Sequence, residues 1–198
     1  SRRILRSLGK LGMTIVILGA FMTNAAEAKT TTAIFAGGCF WCMESEFQET
    51  PGVSSVVSGY TGGKEKNPSY REVSAHQTGH VEAVEITYDP GKIAYEKLLD
   101  IYWGNIDPTD AGGQFFDRGA QYATVIFYGS DEEKKLAEAS KAKVEQKLGK
   151  KVMTRIEPKQ AFYPAEAEHQ DFYKTNQDHY NRYVKGSGRK EKLKDIWG

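Results

Sequence analysis

Cys39 and Cys42 are the only two cysteines in this chain of 198 residues. They lie in the run Phe35-Ala36-Gly37-Gly38-Cys39-Phe40-Trp41-Cys42-Met43-Glu44. There an apolar stretch passes through two glycines into a helical pattern, which puts Cys39 at a helix N-terminus. Unpaired backbone N–H groups and the positive end of the helix dipole favour a thiolate there, so a lowered Cys39 pKa is expected. Cys42 falls one turn further on, within reach of Cys39. The pair reads as a redox couple, with Cys39 the nucleophile and Cys42 the resolving thiol. A purely structural disulfide is the bland alternative, but so small a loop would restrict the unfolded chain little. A zinc site would need two of His76, His80, His169 and His179, and none has a paired ligand spacing with Cys39.

Phe40 and Trp41 directly follow the nucleophile. They are either core aromatics or the walls of a pocket for a small apolar group. In the alternating run 81–88, Glu82 shares a face with Val84, Ile86 and Tyr88. A carboxylate on an apolar face has its pKa raised by burial and becomes a proton donor. The other reading puts residue 82 near the strand start, reaching solvent, and periodicity leaves both open. Tyr70 stands in a long polar segment, and Tyr122 follows Asp117-Arg118-Gly119-Ala120-Gln121. Among 11 tyrosines these two read as packing residues on composition alone.

The elements that must position these groups follow from pattern and punctuation. Strands are expected at 31–36, 53–60, 81–88, 121–128 and 151–157. A helix over 39–49 is stopped by Pro51-Gly52, and Tyr95, Leu98, Leu99 and Tyr102 mark a second, closed by Gly104. Ser130-x-x-Glu133 is a capping box for a third helix, ending at Leu148 with Gly149 as its cap. Residues 64–79 and 105–120 read as ordered loops, and 165–180 as helical or irregular. The tail from Lys185 reads as loosely held apart from Ile196 and Trp197. This alternation predicts one α+β domain, a two-layer sandwich with a mixed sheet.

The first 28 residues read differently. A basic head (Arg2, Arg3, Arg6, Lys10) precedes the apolar run 11–22 and the small-residue site Ala26-Glu27-Ala28. These are the parts of a secretory signal peptide, so export to the periplasm is expected, with residues 29–198 as the domain. The Arg2-Arg3 pair admits a twin-arginine variant, and retention as a membrane anchor is the alternative. Without residues 1–28 the chain carries 23 basic against 25 acidic residues. That balance argues against a nucleic-acid partner. Charged residues at 27% and hydrophobic ones at 39% describe an ordinary globular protein.

Gly38-Cys39-Phe40-Trp41 resembles the active-site signature of the A-type peptide methionine sulfoxide reductases. Three further segments resemble that family in the same order: 59–63 with 67–73 (Asn-Pro-Ser-Tyr-Arg-Glu-Val), 78–84 (Thr-Gly-His-Val-Glu-Ala-Val) and 117–122 (Asp-Arg-Gly-Ala-Gln-Tyr). The resemblance spans about residues 32–180. It implies an α/β roll with a ferredoxin-like core. It implies Cys39 as the thiol that attacks the sulfoxide sulfur and Glu82 as the proton donor to its oxygen. Tyr70 and Tyr122 would hydrogen-bond that oxygen, Asp117 would support them, and Phe40 and Trp41 would hold the substrate methyl group. Substrates would be the S epimer of methionine sulfoxide, free or in proteins. No cofactor or metal is implied, only an external thiol reductant (a thioredoxin-like protein or dithiothreitol), and the enzyme is expected to be a monomer. Many relatives carry Gly at the position of Cys42 and resolving cysteines in the C-terminal tail, which has none here, and position 74 is Ser74. One internal disulfide is therefore the most this chain can form.

Two other classes remain on the residues alone. A general thiol–disulfide oxidoreductase would not need Glu82, Tyr70 or Tyr122. A binding module using Phe40 and Trp41 would show no turnover with dithiothreitol.

Overall fold

The computed structural model describes residues 30–198, and the expected export segment 1–28 lies outside them. In chain order the elements are β1 (Thr31–Gly37), α1 (Phe40–Gln48), β2 (Val53–Thr61), α2 (Tyr70–Ser74), β3 (Val81–Tyr88) and α3 (Tyr95–Gly104). They continue with β4 (Gly113–Gln114), β5 (Asp117–Arg118), β6 (Thr124–Tyr128), α4 (Asp131–Leu148), β7 (Arg155–Pro158) and β8 (Tyr163–Pro164). Helices α5 (Phe172–Thr175), α6 (Gln177–Gly186) and α7 (Arg189–Trp197) complete the chain. Among the described residues no helix is long and apolar enough to cross a membrane.

Six strands form one sheet in the order β7-β6-β1-β3-β2-β8. Strand β7 runs parallel to β6, and every other pairing is antiparallel. The sheet is therefore mixed, as expected. Ala33 and Phe35 of β1 face the main core with Val84 and Ile86 of β3, under α1 and α3. Phe35 packs at 5.7 Å from Phe47 and 5.1 Å from Tyr102, whose hydroxyl donates to the Ala36 carbonyl. The alternate residues Ile34, Ala36, Val81 and Ala83 meet Val125 and Phe127 on the opposite face. Burial on both faces is why β1 reads as a continuous apolar run rather than an alternating one.

The turn from β1 into α1 aims the first cysteine. Gly38 has φ +82°, and a Cβ there would stand 2.6 Å from the Gln114 Cβ, so only glycine fits. Gln114 cannot yield. Its buried amide accepts from the Asp107 N–H at 2.8 Å and donates to the Asp107 carbonyl at 2.9 Å.

Several expectations are corrected. Residues 64–79 contain α2, whose capping box pairs Ser69 with Glu72. The 121–128 strand begins only at Thr124. Gly119, at φ +131°, opens a 3-10 turn over Ala120–Tyr122, so Tyr122 precedes the sheet. The 151–157 strand shrinks to Arg155–Pro158. Half the expected box at Ser130 forms: its hydroxyl accepts from the Glu133 N–H, but the Glu133 carboxylate takes the N–H of Gly129. The tail is not loosely held. It folds into α6 and α7, with Arg189 buried and Trp197 donating to the Ile106 carbonyl at 3.2 Å.

Candidate active site

Cys39 caps the start of α1, and both cysteines are free thiols in the interior. The first helix N–H does not serve the thiol. Phe40 N–H donates to Glu82 Oε2 at 3.0 Å. Glu82 is only 2% exposed, which excludes the solvent-reaching reading. Burial raises its pKa to about 8 against the opposing pull of that hydrogen bond, with the charge of Asp117 adding to the rise. A carboxyl held protonated at neutral pH beside a thiol is a proton donor in place.

The expected lowering of Cys39 is corrected. Burial raises its pKa well above the ordinary thiol value, and the hydrogen bond with Cys42 and the charges of Cys42 and Glu82 raise it further. The nearby Tyr183 hydroxyl pulls the other way without reversing the rise. The helix terminus that was to stabilise a Cys39 thiolate is engaged with Glu82 instead. Cys42 moves down, through its hydrogen bond with Cys39, the positive charge of Arg189 and a hydrogen bond from Tyr180.

Tyr70 and Tyr122 reach the same place from distant segments. Tyr70 opens α2, and its N–H donates to Glu166 Oε1 at 2.8 Å. The Tyr60 hydroxyl holds the other oxygen of Glu166 at 2.8 Å. Burial and the charge of Glu82 push Tyr70 up to about 12 and Tyr122 upward as well, so both phenols stay protonated as hydrogen-bond donors. Asp117, also raised by burial, accepts a hydrogen bond from Tyr183 of α6. Tyr183→Phe removes a bond that favours the Asp117 carboxylate. The variant will raise the Asp117 pKa further, read by carboxyl NMR titration, and slow turnover several-fold in a folded protein.

Phe40 is 1% exposed and belongs to the core, 5.8 Å from Tyr60 and 6.4 Å from Tyr70. Trp41 is half-buried and stacks on Phe172 at 3.8 Å. Its indole N–H donates to His169 Nδ1 at 3.3 Å, and His169 packs 4.3 Å from Tyr70. Burial lowers the His169 pKa, so a neutral imidazole accepts that bond. Cys39, Cys42, Glu82, Tyr70, Asp117 and Tyr122 lie close enough for their charges to act on one another, and Phe40 and Trp41 pack beside them against Tyr70 and His169.

Sequence reasoning missed Tyr180, Tyr183, Arg189, Glu166 and Glu44, and weighed His169 only as a zinc ligand. Glu44 accepts from Ser58 Oγ at 3.2 Å and from the Asp171 N–H at 3.0 Å, tying α1 to β2 and to the start of α5. Burial raises its pKa to about 7. A signal existed: Glu44 stands four residues after Phe40 and three before Phe47, on the buried stripe of α1. Tyr180 and Tyr183 stand at helical spacing with buried Val184 in α6, a pattern hidden by the polar residues around it.

A family model described as "Peptide methionine sulfoxide reductase" matches residues 31–198. A Bacillus velezensis protein named peptide methionine sulfoxide reductase MsrA is 53% identical over 171 residues, covering 85% of this chain and 97% of its own length. The crystal structure of Saccharomyces cerevisiae Mxr1 in reduced form aligns with a TM-score of 0.72 at 31% identity, over 76% of this chain and 87% of that one. Mxr1 in complex with Trx2 aligns with a TM-score of 0.52 at 25% identity, over 73% and 86%. With the family model matching nearly all the described length and a relative more than half identical over it, the chain belongs to the peptide methionine sulfoxide reductase family of oxidoreductases.

Proposed function

We propose that this enzyme reduces the S epimer of methionine sulfoxide, free and in proteins, using only its two thiols and an external dithiol. The observation that carries the reading is the Phe40 N–H bond to Glu82, which holds a protonated carboxyl beside Cys39. Glu82 gives its proton to the sulfoxide oxygen while the Cys39 sulfur attacks the sulfoxide sulfur. The S–O bond of the substrate breaks, methionine leaves, and the oxygen ends on Cys39 as a sulfenic acid. The sulfoxide gains the two electrons that Cys39 loses, and the Cys39 proton returns to Glu82. Tyr70 and Tyr122 donate hydrogen bonds to the oxygen, Asp117 orders that cluster through Tyr183, and Phe40 and Trp41 accept the methyl group.

Cys42 then attacks Cys39, giving a disulfide and water. A thioredoxin-like protein reopens it by thiol–disulfide exchange. The Mxr1 complex with Trx2 favours that partner. The order β6-β1-β3-β2, with α1 and α3 as crossovers, favours a ferredoxin-like core within the roll. The basic head and apolar run of residues 1–28 favour export to the periplasm, and a site built from one chain favours a monomer.

Reduced protein with dithiothreitol will release methionine from the S epimer and none from the R epimer, measured by chromatography. No methionine from the S epimer would overturn the reading. Cys42→Ser will stop after one turnover with sulfenic acid trapped by a nucleophilic dione. Steady thioredoxin-linked turnover in that variant removes Cys42 from the cycle.

A further inference from the structure

Glu44 is a buried carboxyl, 1% exposed, that the proposed reaction does not use. It stands on the stripe of α1 that buries Phe40 and Phe47, where an apolar side chain would pack without losing hydration. Among the described residues no salt bridge answers it. Its two oxygens take one hydrogen bond each. Oε2 accepts from the Ser58 hydroxyl at 3.2 Å, and Oε1 accepts from the Asp171 N–H at 3.0 Å, across 127 positions of the chain. The second bond falls on the end of a strap, residues 165–171, laid along β2. The strap begins with the Ala165 N–H donating to the Ser58 carbonyl at 2.8 Å. The Gln170 amide then brackets Ser58, accepting its N–H at 3.0 Å and donating to its carbonyl at 2.9 Å. Those bonds tie the strap to β2, and Glu44 ties its far end to α1. The other polar ties from α5 to α1, those of Tyr173 and Lys174 to Glu49, lie in solvent.

Asp171 takes the left-handed conformation, φ +49°, and the next residue is Phe172. Phe172 lies flat on Trp41, with ring centres 3.8 Å apart and planes 8° apart. His169 of the strap takes the Trp41 indole N–H at 3.3 Å and packs 4.3 Å from Tyr70. Trp41 and Glu44 are three residues apart on α1, so they are neighbours on one rigid element. A strap fixed to Glu44 is therefore fixed relative to Trp41. We propose that Glu44 is a positioning residue for substrate binding: by taking the Asp171 N–H, its buried carboxyl fixes the strap on α1 so that Phe172 backs Trp41 and holds the wall that receives the substrate methyl group. This rests on the reading of Phe40 and Trp41 as the methyl pocket. Glu44 touches no reacting atom and acts through Asp171 and Phe172.

The test compares Glu44→Gln with Glu44→Met. Glutamine can accept the Asp171 N–H through its oxygen and donate to the Ser58 hydroxyl through its nitrogen, whereas methionine, of similar length, can do neither. In single-turnover reduction of the S epimer, Glu44→Met will raise the half-saturating concentration of methionine sulfoxide about tenfold, the weight of one apolar contact in a pocket. The limiting rate of methionine release will stay within about twofold, as expected when binding is lost equally from ground and transition states. Glu44→Gln will behave as the wild type. With the three tryptophans replaced by 5-fluorotryptophan, the Trp41 fluorine resonance can be assigned by Trp41→Phe. It will shift in Glu44→Met and in Phe172→Ala and stay in place in Glu44→Gln. The binding losses of Glu44→Met and Phe172→Ala will be less than additive in the double variant. Glu44→Asp keeps the charge but falls one methylene short of its partners. It will show the same changes to a smaller degree, and it carries the test if Glu44→Met does not fold. An unmoved Trp41 resonance overturns the inference, as does a glutamine variant as impaired as the methionine one. So does a loss in the limiting rate with the half-saturating concentration unchanged, or a lowered melting temperature with neither readout moved. If the wild type releases no methionine while the resonance follows this pattern, the proposed reaction fails and the placing of Trp41 by Glu44 stands.

Discussion

Cys39→Ser will reduce methionine formation to the uncatalysed background under every reductant. A serine hydroxyl is not ionised near neutrality and cannot accept the substrate oxygen as a stable sulfenic acid. The loss will therefore be of the chemical step rather than of binding. Serine is also a good helix cap, and the site stands at the N-cap of α1, so stability should change by no more than about 1 kcal/mol. A folded, inactive Cys39→Ser protein fits the assignment. Product above background would move the nucleophile elsewhere, and only Cys42 is left to take that part.

Glu82→Gln should slow the reductive step by about 10²–10⁴-fold, the usual weight of a positioned general acid. Glutamine keeps the shape and can still accept the Phe40 N–H bond, but it has no proton to give. In the wild type the acid must be protonated, and burial holds its pKa at about 8. The single-turnover rate should hold below that value and fall as pH rises through it. The glutamine variant should lack that limb of the profile.

Stability should move in the opposite sense. Near pH 4 the carboxyl is protonated in folded and unfolded chains alike. The unfolded chain releases its proton around the ordinary 4.5, while the folded one keeps it to about 8. The contribution is full below the lower value and is lost as pH rises through the upper one. Above pH 8 the buried charge costs the fold on the order of a few kcal/mol, which Glu82→Gln removes. Denaturation midpoints should show the inactive variant more stable than wild type at pH 9 and equal to it at pH 4. The opposite ranking at pH 9 would place Glu82 in a solvated setting and end its claim as the acid.

Much of the site was legible in the chain because its cues are local. Two glycines before Cys39 mark a strand-to-helix turn, and the positive φ of Gly38 is what that turn requires. The spacing of Tyr95, Leu98, Leu99 and Tyr102 names the buried face of α3, and each of those residues is buried. Glu82 was placed on the correct strand face by a period of two. Where cues were absent or misleading, the errors were equally local. Polar residues masked α6 and α7, and Tyr122 was drawn into a strand that a glycine delays.

The thiol pair, its helix terminus and the carboxyl's strand face are settled by neighbours a few residues apart, whose geometry the backbone imposes. The protonation states are not of that kind. Phe40 meets Glu82 across 42 positions, and Tyr183 meets Asp117 across 66. Those meetings depend on β3 lying beside β1 and on α6 closing over β5. Desolvation, too, is a property of everything packed around a group. That is why the chain suggested a lowered Cys39, while burial in the folded protein raises Cys39, Glu82 and the tyrosines beside them.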